Sequence, residues 1–309
     1  MEGLILVARQ VFILFALMGV GAILRWTRLV DGKSIDGMVN LLVLVVTPCL
    51  IVDCFQRPFE PAMLEGLLTG VLVVLAWHVA MIWAARFVVR AKDVNVRRPL
   101  LLAAVFSNAG FMGVPLEQAV LGSEGVFFGA VYVAVFNLFM WSWGLHVMKG
   151  GARGASFWKM LVNPGTIGIA LGLPLFLFSW RLPQVLAEPV RHLADLNTPL
   201  AMIVIGYSLA GARLGRVLRQ RAAYAAVAFR LVVFPLGMIV ALYPFRAWLD
   251  ARLMLATVIA ASAPVAAMVS MFAVKFERDV DVSVAVVCGS TLLSILTMPP
   301  IVALAMAVL

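Results

Sequence analysis

Apolar residues in this chain form long continuous runs separated by short polar stretches. Ten of these runs approach or exceed the ~20 residues that a helix needs to cross the hydrocarbon core of a bilayer. Runs of this length predict membrane-spanning helices rather than the helices of a soluble core. The ten predicted helices span residues 4–24, 37–55, 66–89, 99–121, 125–148, 159–179, 193–212, 222–243, 252–274 and 282–308.

The composition supports a membrane protein. The 309 residues are 64% apolar and 13% charged, whereas soluble domains usually carry about 45–50% apolar and about 25% charged residues. So much apolar surface cannot be buried in one water-soluble core, so we expect the lipid bilayer as a partner. The three cysteines, Cys49, Cys54 and Cys288, have no metal-ligand spacing. We expect neither a metal nor another cofactor.

The distribution of positive charge predicts an orientation. A net charge of +9 could indicate nucleic acid, but the basic residues stand singly or in small clusters, so nucleic acid is not expected as a partner. Of 24 Lys and Arg residues, 17 lie in the odd-numbered connections between predicted helices. The even-numbered connections and the termini together hold 6. Because cytoplasmic loops carry excess Lys and Arg, this asymmetry predicts that both termini lie outside.

The ten predicted helices divide into two sets of five, and an odd number in each set makes the halves inverted. Three internal matches support this division. Thr47-Pro48 recurs after 151 residues as Thr198-Pro199, Val-Ala-Val at 133–135 recurs at 284–286, and Pro115 precedes Pro264 by 149 residues. A nearly constant offset is typical of inverted-repeat transporters. We therefore predict an all-α membrane protein with repeats at residues 1–150 and 151–309.

Two predicted helices contain residues that interrupt a helix. The fourth contains Asn, two Gly and Pro within 108–115, and the ninth contains Ala-Ser-Ala-Pro-Val at 261–265. A break at mid-membrane is tolerated only where the freed backbone groups face protein, water or a ligand. Paired breaks indicate a transporter site, where helix N-termini suit a carboxylate. The alternative is a pair of proline kinks that only shape packing.

The sequence of the fourth helix, SNAGFMGVPL at 107–116, resembles the signature of the auxin efflux carrier family. This family includes the plant PIN-type carriers and many bacterial permeases. Further similar stretches are Asn163-Pro164-Gly165, Ala263-Pro264, Ala273-Val274-Lys275-Phe276, Asp281, Ser290-Thr291-Leu292-Leu293-Ser294 and Thr297-Met298-Pro299. Only about ten residues join the two halves, in place of the long hydrophilic loop of the plant carriers. The resemblance therefore favours a bacterial-type organic acid permease.

The resemblance implies a fold and a mechanism. Helices 4 and 9 would cross at the membrane centre, as in NhaA-like antiporters and bile-acid symporters. Helices 1, 2, 6 and 7 would form a scaffold, commonly homodimeric, and helices 3–5 and 8–10 an elevator-like transport domain. Substrates would be small mono- and dicarboxylates such as malonate or malate, carried across a bacterial plasma membrane. Auxin-like aromatic acids are the alternative.

The same resemblance assigns roles to residues around the two breaks. Asn108 would contact the substrate, and Pro115 and Pro264 would be the crossover prolines. We place the carboxylate near Asn108, Ser262 and the amides of the half-helices. The predicted substrate site comprises Asn108, Gly110, Gly113, Asn137, Arg230, Ser262 and Pro264.

Several intramembrane polar residues have two interpretations each. Arg230 is either a counter-charge for an anion or a side chain that snorkels to the interface. Asn137 is either a site residue or an interhelical hydrogen-bond partner. His78 is either a proton carrier or a structural residue. Asp53 and Glu117 could couple a proton, although placement at the interface is the default expectation for both.

Other functional classes fit less well. An intramembrane enzyme needs a nucleophile–base pair, a metal cluster or clustered acids, and the sequence has no H-E-x-x-H, no G-x-S-x-G and no acidic cluster within one helix. We therefore expect no enzyme activity. A channel or a receptor of the same fold is a further alternative. Paired helix breaks favour a carrier with alternating access.

Overall fold

The computed structural model describes residues 2–150, 164–211 and 220–309. Within these ranges the backbone is helical apart from short connections and one isolated antiparallel bridge, between Ser107 and Val265. The predicted start of the sixth helix at 159 and the repeat boundary at 151 lie outside the described residues. So do Asn163, Arg153, Lys159, Arg213, Arg216 and Arg219.

Some helices are continuous through a short π-helical turn. Such turns occupy Leu42–Val46, Ala109–Gly113, Met140–Gly144 and Phe229–Val233. The helices are α1 (Glu2–Trp26), α2 (Gly32–Leu41), α3 (Thr47–Phe55), α4 (Pro61–Val88), α5 (Val94–Val105), α6 (Val114–Phe139), α7 (Leu145–Lys149), α8 (Pro164–Leu177), α9 (Gln184–Asp195), α10 (Asn197–Ala210), α11 (Arg221–Ala228), α12 (Phe234–Leu242), α13 (Ala251–Ser262), α14 (Met268–Lys275) and α15 (Val280–Val308).

The helices identify a multi-pass membrane protein. Seven helical segments of the described chain are long and apolar enough to cross a bilayer, and Gly165–Leu177 and Ala251–Ser262 are shorter apolar helices. Large apolar side chains are exposed along these segments, for example Phe12, Leu72 and Leu296. An exterior of this kind suits lipid rather than water. The count of ten spans, the inverted repeat and the orientation of the termini stay predictions.

The helices differ from the prediction in four places. The predicted fourth helix is divided after Val105, and the predicted ninth after Ser262. The predicted link between the fourth and fifth helices is a single kink at Gly122, which has a φ of 69°. Before the predicted seventh helix lies an additional helix, α9. Its polar residues, such as Glu188 and Arg191, lower its hydropathy and conceal it from a search for apolar runs.

Close helix packing surrounds the centre of the molecule. The principal contacts join α1 to α10, α3 to α8 and α9, and α6 to α13 and α4. The α1–α10 contact depends on glycine, because a Cβ at Gly206 would overlap the backbone of Met18. Small residues allow such backbone contact between membrane helices. Contacts of α13 with α6 and with the π turn Ala109–Gly113 pack the two interrupted helices against each other.

Candidate functional site

The two helix breaks lie against each other. After Val105 the chain is extended at Phe106 and Ser107, and this segment pairs with the extended segment after Ser262. The backbone N–H of Asn108 donates to Pro264 O at 2.6 Å, and that of Ala266 donates to Phe106 O at 2.9 Å. Backbone groups freed by one break are therefore satisfied by the other, as a low-dielectric interior requires.

Two side chains hold the paired segments from opposite sides. The Oγ of Ser290, on α15, accepts a hydrogen bond from the backbone N–H of Val265 at 3.1 Å. The Oγ of Ser107 lies 3.3 Å from the phenolic oxygen of Tyr132, on α6. Tyr132 is not among the predicted site residues, although a phenol inside an apolar helix usually has a hydrogen-bond partner.

Arg230 binds the ends of both interrupted helices. Its side chain is fully buried, with 0% exposure. The guanidinium donates to Val105 O at 2.8 Å and to Ala261 O, and lies 3.6 Å from the ring centroid of Phe234. The carbonyls at the C-terminal end of a helix carry partial negative charge. Arg230 therefore caps α5 and α13. Full burial does not fit the side chain that snorkels to the interface, and Arg230 does not line the cavity described next. Its role as a counter-charge for an anion stays a prediction.

A cavity of about 200 Å³ opens beside the paired breaks. We call it the main cavity. Its walls come from α2 with its π turn, the start of α3, the two breaks, α6 with the π turn that follows it, and the starts of α8 and α14. The lining residues are Val39, Val43, Thr47, Ser107, Asn108, Gly110, Phe111, Val133, Phe136, Asn137, Trp141, Gly165, Ala266, Ala267, Met268 and Met271.

The main cavity has one polar end and apolar walls. Asn108, whose side chain is only 6% exposed, lies at the polar end. Gly110 and Met268 belong to the first turns of the two half-helices that follow the breaks. The first N–H groups of a helix have no intrahelical acceptor, and its N-terminus carries partial positive charge. This end can therefore bind an anion, and Phe136 and Trp141 can contact its apolar part.

Comparison with known proteins identifies the family. The family described as membrane transport protein matches residues 6–302. The chain belongs to this family. It is the auxin efflux carrier family that the fourth-helix motif indicates, so the resemblance is confirmed. The chain is also similar to an uncharacterized transporter of Methanothermobacter thermautotrophicus, with 28% identity over 288 residues, which cover 90% of this chain and 92% of the relative. The protein is thus a transport protein and not an enzyme.

The structure brings three of the predicted site residues of this transport protein together. Asn108, Gly110 and Asn137 all line the main cavity. Asn137 Nδ2 also donates to Val133 O at 2.9 Å, one turn earlier in the same helix. Within the described residues, the hydrogen bond that this amide donates is thus intrahelical rather than interhelical.

Other predicted site residues of the transporter lie outside the main cavity. Pro264 is part of the paired segments, whereas Pro115 lies in the first turn of α6, beyond the π turn. Ser262 Oγ donates to Ile259 O of its own helix at 2.8 Å. At Gly113 an added Cβ would lie 3.3 Å from Ala260 Cα, so this glycine permits close approach of α13.

The three candidate proton carriers occupy different environments. His78 is buried, its Nδ1 lies 2.9 Å from Val74 O, and its ring stacks on Phe139. Asp53 is half-buried at the end of α3 and lines a separate surface cavity. Glu117 is fully buried, and a Cβ at Gly129 would overlap its carboxyl group. The carboxyl group of Glu117 is therefore enclosed by protein, and its role as a proton carrier stays a prediction.

Proposed function

We propose that this transporter moves small organic anions across the membrane by alternating access. The substrate carboxylate binds at the polar end of the main cavity, beside Asn108. The observation that carries this proposal is the convergence of that amide with the N-terminal turns of two half-helices on one cavity. Helix N-termini are established anion-binding elements, and transporters use interrupted helices for this purpose.

The walls of the main cavity favour a particular kind of anion. Val43, Phe136 and Met271 offer apolar surface to the body of the substrate. Burying a second carboxylate against such surface without a hydrogen-bonding partner is costly. Within the predicted class of mono- and dicarboxylates, this arrangement favours a monocarboxylate over the dianions malonate and malate. A volume of about 200 Å³ suits a small acid, since pockets for drug-sized ligands span about 300–1,000 Å³.

A second candidate substrate is an aromatic acid related to auxin. Phe111, Phe136 and Trp141 line the main cavity, and aromatic side chains stack on aromatic ligands. The same polar end would bind the carboxylate of such a substrate. The two candidates therefore differ only in the body of the acid.

For the mechanism we propose ten spans in two inverted sets of five. Helices 1, 2, 6 and 7 of the prediction form a dimeric scaffold in a bacterial plasma membrane, with both termini outside. The remaining helices move as a transport domain. Contacts of α1 with α10 and of α3 with α8 support the grouping, because each joins two predicted scaffold helices.

Counterflow in proteoliposomes tests the proposed function. Vesicles are loaded with one unlabelled acid, and entry of the labelled acid is followed for propionate, lactate, malonate, malate and indole-3-acetate. A carrier gives saturable entry that the internal acid accelerates, and we expect the monocarboxylates to enter fastest. Linear entry without acceleration would indicate a channel. Binding without any entry would indicate a receptor.

A further inference from the structure

Asn197 is a buried amide outside the predicted substrate site. It is the first residue of α10, and it is 3% exposed. Neither Nδ2 nor Oδ1 has a hydrogen-bond partner within the described part of the chain. A buried amide without a partner is unfavourable, so such groups usually face a ligand or an ordered water. Its surroundings indicate what that partner is.

Asn197 lines a second, smaller cavity of about 20 Å³, which we call the annex. Thr47, Gly110 and Val133 line both the annex and the main cavity. The annex therefore adjoins the main cavity. It opens beside Gly110, in the same helical turn that forms part of the anion-binding end.

The size and polarity of the annex restrict what it can hold. A single water-sized group needs about 10–15 Å³, so about 20 Å³ accommodates one oxygen-bearing group but not a whole carboxylate. The hydroxyl of Thr47 already donates to Leu42 O at 2.9 Å. Asn197 is left with both a donor and an acceptor for whatever occupies the annex.

We propose that the annex binds the hydroxyl group of a short 2-hydroxy carboxylate and that Asn197 is the residue that recognises it. A hydroxyl can accept from an amide N–H and donate to an amide oxygen at the same time. Because Gly110 borders both spaces, a hydroxyl on the carbon next to the bound carboxylate is the one within reach. This inference rests on the proposed function and refines its substrate to hydroxy acids.

Matched pairs of acids test the inference on the reconstituted transporter. Lactate and propionate differ by one hydroxyl, and labelled uptake at low concentration gives kcat/KM for each. We expect wild type to favour lactate over propionate by roughly 3- to 10-fold, the value of one neutral hydrogen bond. Asn197→Leu, which is similar in shape and has no amide, should bring this ratio to about one.

Asn137→Leu is the matched control, because Asn137 lines the main cavity but not the annex. We expect it to keep the preference for lactate even if both uptake rates fall. A wild-type ratio near one would overturn the inference, since the annex would then hold an ordered water only. An unchanged ratio in Asn197→Leu would overturn the role of Asn197. If wild type transports neither acid, the inference fails as well. The proposed function fails separately, when none of the five acids of the counterflow assay enters.

Discussion

The backbone N–H of Asn108 donates to the carbonyl of Pro264 at 2.6 Å, across two helix breaks that lie 156 positions apart in the chain. The residue proposed to contact the substrate is thereby fixed by the opposite half of the molecule. Its side chain lines the main cavity while its backbone holds the two breaks together. Asn108 therefore belongs both to the proposed substrate site and to the hydrogen bonds that hold the two breaks together.

Removing the cap formed by Arg230 should destabilise the protein. Arg230→Met leaves the carbonyls of Val105 and Ala261 without this donor, and each buried acceptor without a partner costs about 1–3 kcal/mol. We expect the free energy of unfolding to fall by about 3 kcal/mol and the melting temperature in detergent to be clearly lower. Arg9→Met, at an exposed position on α1, is the control. Equal melting temperatures for wild type and Arg230→Met would refute the cap.

Helix placement and the two breaks follow from local sequence, whereas the cap does not. Apolar runs locate the helices, and Asn108 and Pro264 mark the interruptions because their residue types disfavour a helix. Arg230 meets its acceptors 125 and 31 positions away. No local pattern reports such distances, so the cap could not be predicted from the sequence.

The burial of Asn197 and that of Glu117 could not be predicted from the sequence, for related reasons. Asn197 follows the amphipathic helix α9, which the hydropathy pattern does not reveal. Its burial depends on how α9 packs on α3 and α10 on α1. Glu117 is buried because Gly129 leaves room for its carboxyl group. Both features arise from contacts between helices rather than from the order of residues within one helix.

Enlarging Gly206 should disrupt the packing of α1 on α10. In Gly206→Ala the new Cβ overlaps the Met18 backbone, and backbone cannot move aside as a flexible side chain can. We expect loss of most folded protein in size-exclusion chromatography. At Gly19 a Cβ would meet nothing within 4 Å. Gly19→Ala should therefore be neutral or stabilise the helix by about 0.5–1 kcal/mol, and equal behaviour of the two variants would contradict the packing.

A charged cluster outside the membrane-spanning segments gives a pH dependence. Asp250 caps α13, and Arg252 Nη2 donates to its Oδ2 at 2.9 Å. Partial burial acts to raise the pKa of Asp250, but the hydrogen bonds from Arg252 outweigh it and lower the pKa below its usual value. The stabilisation that the Asp250 carboxylate gives to the folded state is therefore fully present above about pH 4, and it is lost as the pH falls through the lowered pKa.

Asp250→Asn keeps a capping oxygen and removes the charge, so it isolates the effect of the charge on stability. At pH 7 the free energy of unfolding of wild type should exceed that of the variant by at most about 1 kcal/mol, because the ion pair is partly exposed. The difference in melting temperature should shrink as the pH is lowered from 5 to 3. A difference that grows at low pH would show that the carboxylate does not stabilise the fold.

Uptake of labelled lactate and propionate by proteoliposomes containing wild type or Asn108→Ala tests the central claim most directly. Asn40→Ala, at an exposed position on α2 outside the main cavity, is the matched control. We predict saturable uptake by wild type and by Asn40→Ala, and a fall of at least about tenfold in kcat/KM for Asn108→Ala, the loss of a hydrogen bond to a charged group. Uptake by Asn108→Ala at the wild-type rate would contradict a carboxylate site at the paired helix breaks.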